Sequence, residues 1–218
     1  MFRVTLTAYK PNEDIFSGHQ NIVIGITGAG KNVFTETRLK QIKRPILYFD
    51  PQYKKKLRGF THVSGKYETH QIISALKSGA KLHYEPSKDD ILASCELAVL
   101  TDALINAGFT EKENMIFVIN ELPALCDHKE GKRASRKIAN RGRVDGVHSV
   151  VLVQRPAEVP RASMAQAKRM FIFETNTDAK YFKEKGINQN QVEDLLTKGG
   201  QYSYVVYEKK NITGPYKE

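Results

Sequence analysis

Cysteine is scarce: Cys95 and Cys126 are the only two in 218 residues, far apart and without a C-x-x-C pair. That spacing argues against a disulfide framework and points to a reducing compartment. The six histidines form no H-E-x-x-H or comparable ligand pattern. No apolar run approaches the roughly 18–20 residues needed to span a bilayer. The opening Met1-Phe2-Arg3-Val4-Thr5-Leu6 is too short and too alternating for a secretory leader. Internal repeats and low-complexity segments are also missing. A soluble, intracellular chain is expected, long enough for one domain with a substantial core.

Basic charge is abundant. Lysine and arginine number 34 against 24 acids, a net charge of +10. An excess of this size favours a polyanionic partner, though charge alone does not choose between nucleic acid and an anionic membrane surface.

The chemistry starts at Gly25-Ile26-Thr27-Gly28-Ala29-Gly30-Lys31-Asn32. An apolar run, Ile22-Val23-Ile24, precedes it, and a helix-capable segment, 33–40, follows. Strand, glycine-rich loop and helix in this order are the context of a phosphate-binding P-loop. Gly25, Gly28 and Gly30 allow the close backbone approach that lets successive N–H groups wrap a phosphate. The helix N-terminus adds partial positive charge, and Lys31 supplies a full one. Asn32 stands where the pattern normally has Ser or Thr.

Along the chain, Phe2, Val4 and Leu6 alternate as in a strand, and residues 10–14 read as a loop. Pro45–Phe49 is a strand ending at Asp50. Lys54, Lys55, Lys56 and Arg58 follow in a basic loop, either solvated or in contact with phosphates. Residues 68–77 have helical spacing, 81–84 form a short strand, and a long apolar-faced helix runs from about Asp90 to Gly108. Met115–Ile119 is a buried strand ending in Asn120-Glu121. Seven basic residues lie between His128 and Arg143. Val147–Val153 is a strand ending in Gln154-Arg155-Pro156, and 169–174 is another. One or two helices fill 177–198, and 201–208 is the last expected strand. Residues 1–208 thus form the expected domain, with 209–218 a polar tail. Alternating helices and apolar strands predict an α/β fold, a mostly parallel sheet covered on both faces. Ligands of such sheets bind beyond the carboxyl ends of the strands, where 25–32, Asp50, Asn120-Glu121 and Gln154 would meet.

Hydrolysis of a nucleoside triphosphate needs a phosphate cradle, a metal, a group to orient water and a cation for transition-state charge. Met115–Glu121 has the form of a Walker B strand, with Glu121 placed to polarise water; otherwise Glu121 is a surface acid opening a loop. Gln154 could sense a γ-phosphate, or simply bond a neighbouring backbone. Arg143 could reach a neighbouring subunit's site, with Arg141 and then Arg136 as alternatives.

These residues resemble the FtsK–HerA superfamily of DNA-pumping P-loop ATPases (RecA-like, ASCE type), especially the genome-packaging ATPases of tailless, membrane-containing viruses. Four blocks carry the resemblance: 25–31, 46–51, 116–121, and 141–143 through 151–156. The segment Arg141-Gly142-Arg143 leading to Gln154-Arg155-Pro156 is the most specific. The resemblance implies ATP and Mg²⁺ as cofactors, Gly25, Thr27, Gly28, Ala29, Gly30, Lys31 and Asn32 at the nucleotide, Glu121 as catalytic acid, Gln154 as sensor and Arg143 as finger. It further implies a homohexameric ring on double-stranded DNA, a capsid-vertex or membrane-protein partner, and residence in the virion and host cytoplasm. The chain would be close to a bare motor core, without the membrane anchor of larger relatives. Two positions depart from the pattern. Asn32 replaces a Mg²⁺-binding hydroxyl and Asn120 the usual Walker B Asp, so the metal would be held by weaker amide oxygens. Two alternatives stay open: a nucleotide-binding but hydrolytically weak DNA-binding or assembly module, and a conjugation or chromosome-transfer motor. No DNA-gripping residue is legible.

Overall fold

The computed structural model describes residues 14–16, 18–52, 56–65, 68–110, 114–176 and 179–217. The expected opening strand at 2–8, most of the following loop, and Lys54 and Lys55 lie outside the described residues. In chain order the strands are β1 (Gln20–Ile24), β2 (Ile46–Phe49), β3 (Thr61–Ser64), β4 (Lys81–Glu85), β5 (Met115–Ile119), β6 (Val147–Val153), β7 (Arg169–Ile172), β8 (Tyr204–Glu208) and β9 (Asn211–Tyr216). The helices are α1 (Lys31–Gln41), α2 (Thr69–Lys77), α3 (Asp90–Ala107), α4 (Leu122–Cys126), α5 (Lys129–Arg141), α6 (Arg161–Ala165), α7 (Ala179–Glu184) and α8 (Gln189–Gly199).

Among the described residues the strands form one nine-stranded sheet, in the order β3-β4-β2-β5-β6-β1-β7-β8-β9. Pairing is parallel from β3 through β7, and β8 and β9 add two antiparallel strands at one end. The central strands are apolar throughout because both faces are covered. Alternate residues divide between two cores. Ile22, Ile24, Phe117, Ile119, Val151 and Val153 face the side packed by α2–α8. Val23, Ile116, Val118, Val150 and Leu152 face α1, through Phe34 and Leu39, with Ile15, Phe16 and Leu57. The expected α/β fold with helices on both faces is therefore present. No helix among the described residues is long and apolar enough to cross a membrane.

Several elements differ from the sequence reading. β3 went unforeseen because only Val63 of its four residues is buried. The basic stretch before Arg143 is α5, an amphipathic helix whose inner face is small: Gly131, Ala134, Ser135, Ile138 and Ala139. Small residues on that face permit close packing. A methyl group on Gly131 would lie 1.9 Å from the Leu125 carbonyl oxygen at the end of α4. The expected polar tail is largely β9. Hydrogen-bonded pairing with β8 holds Asn211–Tyr216 in the sheet, with Tyr204 opposite Tyr216 and Glu208 opposite Asn211.

Candidate active site

β1 runs into the loop at 25–30, and α1 begins at Lys31. Gly28 and Gly30 have φ of 85° and 103°, left-handed values that disfavour side chains with a Cβ. Gly30 is the residue preceding α1, and its carbonyl accepts the Phe34 N–H at 3.0 Å. The first N–H groups of the helix are thus presented at the loop, as an anion site requires. Lys31 is buried, and its Nζ donates to the Gly25 carbonyl at 2.5 Å and the Ile26 carbonyl at 3.1 Å.

The order β5-β6-β1 decides what meets this loop. β6 lies between the strand that leads to Glu121 and the strand that leads to the loop, so Gln154 ends up between them. Thr27 Oγ1 donates to Gln154 Oε1 at 3.0 Å, and Gln154 Nε2 donates to Glu121 Oε1 at 2.9 Å. The amide uses both ends to join loop and carboxylate. Glu121 has φ 51° and ψ 50°, in the left-handed region, and is 9% exposed. Such a backbone costs a non-glycine residue about 1–3 kcal/mol and marks functional sites more often than neutral ones.

Thr27, Gly28, Gly30, Lys31, Asn32, Glu121 and Gln154 all line one cleft of about 540 Å³. Gly25 and Ala29 are buried in the supporting loop. Asn120 is buried behind the wall: its Nδ2 donates to Asp50 Oδ1 at 2.9 Å, and its Oδ1 has no partner. Asp50 also meets His83 Nε2 at 3.2 Å and accepts the Gln52 N–H at 3.0 Å. Burial works against the Asp50 carboxylate, but the bonds from His83, Asn120 and Gln52 outweigh it and hold its pKa below the usual range. Asn120 therefore lies against a buried carboxylate that directly follows the neighbouring strand, β2.

No cluster of three His, Cys, Asp or Glu side chains among the described residues could hold a metal alone. Mg²⁺ typically keeps several waters and takes one or two protein oxygens beside substrate phosphates. Asn32 lines the cleft and fits a metal bound in that way; Asn120, with its unpartnered oxygen, and Asp50 are buried and do not line it.

Arg143 lies apart. It occupies the turn before β6, whereas Gln154 follows β6. Seven strand residues at about 3.3 Å each separate the two by roughly 20 Å or more, so Arg143 does not reach the cleft of its own chain. Arg141 pairs with Asp145 at 3.2 Å, and Arg136 is exposed on α5.

Other lining residues escaped the sequence reading: Gln52, Val33, Phe173, Tyr202 and Lys217. β8 begins, and β9 ends, at the edge of the sheet where the loop lies, which brings Tyr202 and Lys217 to the cleft. No local pattern signals that return.

Neither a protein-family model nor a curated protein matches the sequence. Solved structures do match. The genome-packaging NTPase B204 of Sulfolobus turreted icosahedral virus 2 in complex with sulfate superposes at TM-score 0.68 and 14% identity, over 92% of this chain and 97% of that one. Its complex with ATP-gammaS gives 0.60 and 14%, over 89% and 95%. The pCW3 conjugation coupling protein TcpA with ATPgS gives 0.59 and 15%, over 92% of this chain and 60% of that one. The chain thus has the P-loop NTPase fold of these proteins, and the expected resemblance to the FtsK–HerA motors is met at the level of fold.

Proposed function

We propose that this chain is an ATPase that translocates double-stranded DNA, and that it packages a viral genome. The carrying observation is the chain of bonds from Thr27 through Gln154 to Glu121, across a cleft that also holds Lys31. In this reading the 25–31 loop cradles the β- and γ-phosphates, and Lys31 exchanges loop carbonyls for phosphate oxygens. Glu121 orients the attacking water and accepts its proton. Gln154 contacts both the loop and the acid, so a change at the γ-phosphate is felt at Glu121 through one side chain. Mg²⁺, when bound, would offset charge on the phosphate oxygens, and Asn32, with Asn120 behind it, would hold it. Arg143, too far from its own cleft, would serve a neighbouring protomer in a homohexameric ring. The higher TM-score with a packaging NTPase, 0.68 against 0.59 for the conjugation coupling protein, supports the viral branch.

The test is ATP turnover of the full chain with Mg²⁺ or Mn²⁺, with and without duplex DNA. DNA-stimulated turnover abolished by Lys31→Ala is expected. Absence of turnover under every condition, with ATP still bound, would favour the second reading of a hydrolytically weak nucleotide-binding module. Asn at 32 and 120, where the resembling pattern has a hydroxyl and an acid, is the observation behind that alternative.

A further inference from the structure

A histidine that no motif singles out stands behind the cleft. β2 lies between β4 and β5, with Tyr48 opposite His83 on one side and Val118 on the other. Side chains alternate along a strand, so Asp50 and Asn120, two residues further on, emerge on the same face as His83. Asp50 therefore comes to lie between a histidine from β4 and an amide from the end of β5. All three are closed off from solvent, at 5% exposure for Asp50, 3% for His83 and 1% for Asn120.

Both oxygens of Asp50 are taken. Oδ1 accepts Asn120 Nδ2 at 2.9 Å and the Gln52 N–H at 3.0 Å, and Oδ2 meets His83 Nε2 at 3.2 Å. On the far side of the ring, Nδ1 accepts the Leu57 N–H at 3.3 Å, which leaves Nε2 as the nitrogen that donates to Asp50. Tyr48 and His62 meet the ring edge-on, at 5.4 and 5.7 Å between centroids. An ionised carboxylate only accepts, so Asn120 turns its NH₂ towards Asp50 and keeps its oxygen, buried and unpartnered, as the free polar atom of its side chain. A carboxylate bonded at one oxygen alone turns easily about its Cβ–Cγ bond, and the bond from His83 at the other oxygen stops this.

We propose that His83 is a positioning residue of the nucleotide site: through Asp50 it holds the Asn120 amide with its oxygen free to serve a bound metal ion, and holds Gln52 in the cleft wall. The proposal rests on the nucleotide reading above and deepens it. Gln52 lines the cleft, so a turn of Asp50 is felt there directly, and Asn120 precedes Glu121 in the chain. Groups that orient a metal-holding side chain without touching the metal change affinity or activity about 10–100-fold when removed.

Affinity of the full chain for ATPγS, measured with and without Mg²⁺, tests this without relying on turnover. Mg²⁺ is expected to tighten ATPγS in the unaltered chain. His83→Asn keeps a polar group but is too short to reach Asp50, and is expected to reduce that tightening about tenfold. His83→Gln, which reaches, should retain it. Asn120→Ala should show a similar loss, to which His83→Asn adds nothing, because the effect runs through that amide. His83→Leu, of similar volume and without a donor, replaces His83→Asn if that variant does not fold. Full tightening in these variants, with Lys31→Ala abolishing ATPγS binding, overturns the role of His83 and leaves the phosphate site standing. Losses that multiply in the double variant, or an equal loss in His83→Gln, overturn it as well. A fall in affinity that is the same with and without Mg²⁺ would show that His83 only supports the fold, and also overturns it. Absence of any Mg²⁺ effect in an unaltered chain that binds ATPγS overturns the role of His83 alone. Failure of the unaltered chain to bind ATPγS at any Mg²⁺ concentration overturns the nucleotide reading and this role together.

Discussion

Asn120 and Asp50 show how little a single position reveals. Read alone, Asn120 is a Walker B strand that has lost its acid. In the fold it donates to Asp50 at 2.9 Å, so a buried carboxylate from the end of the neighbouring strand stands beside it. Restoring Asp at 120 alone would set two buried carboxylates against each other and raise the pKa of one. Asn120→Asp is therefore expected to lower stability by about 1–3 kcal/mol, from a buried acceptor left without its donor. The exchange Asp50→Asn with Asn120→Asp should recover most of it; chemical denaturation of the two single variants and the pair measures the coupling. Glu121 presents the converse case. Asn tolerates the left-handed backbone better than Glu does, so Glu121→Asn is expected to leave the melting temperature level or higher while turnover falls about 10²-fold or more. A large loss of stability would show that Glu121 serves the fold. His148 sets a pH dependence. Burial first, then Arg44, lowers its pKa to about 4, and its Nδ1 faces Arg44 Nη1 at 3.0 Å as an acceptor. The unfolded chain binds this proton near pH 6.5 and the folded chain only near 4, so this contribution is present above about 6.5 and is lost as pH falls towards 4. Urea midpoints at pH 7 and 5 should differ less in His148→Gln than in the unaltered chain.

At the scale of elements, apolar runs and segments with clear flanking signals were legible: β1, β2, β4, β5, β6, α1 and α3 all lie close to where the sequence puts them. The misses have physical causes. α5 buries one large apolar side chain, Ile138, among Gly, Ala and Ser, and its dense basic charge masks a helix that is in fact strongly two-faced. β3 and β9 are held chiefly by backbone pairing, which side-chain patterns record poorly. Two consequences follow. Gly131→Ala, with the Leu125 carbonyl in its way, is expected to destabilise the chain by about 1–3 kcal/mol or more, because rigid backbone must shift; thermal melting reads this directly. Removal of residues 209–218 should behave as loss of a strand, lowering the melting temperature and exposing Tyr204 and Val206. A dispensable tail would leave melting unchanged.

For the whole molecule, strand order does what no motif states. The sequence reading expected the 25–32 loop, Glu121 and Gln154 to meet beyond the strand ends. That Gln154 stands between the other two depends on β6 lying between β5 and β1, a tertiary fact. Arg143 was legible as a basic residue near the motif, but only the length of β6 shows that its own cleft is out of reach. The net charge of +10 belongs to this scale too. If the polyanion is duplex DNA gripped by its phosphates, affinity should fall linearly on a log–log plot against salt and depend little on sequence. Fluorescence anisotropy with two unrelated duplexes between roughly 50 and 200 mM salt, the range over which such contacts lose most of their affinity, checks both. The curled-back Lys31 has an energetic consequence. An ammonium already taken out of water and held by peptide oxygens has little hydration left to surrender. Docking of a triphosphate then becomes an exchange of one set of oxygens for a more negative one, and the dehydration cost of that cation was met when the chain folded.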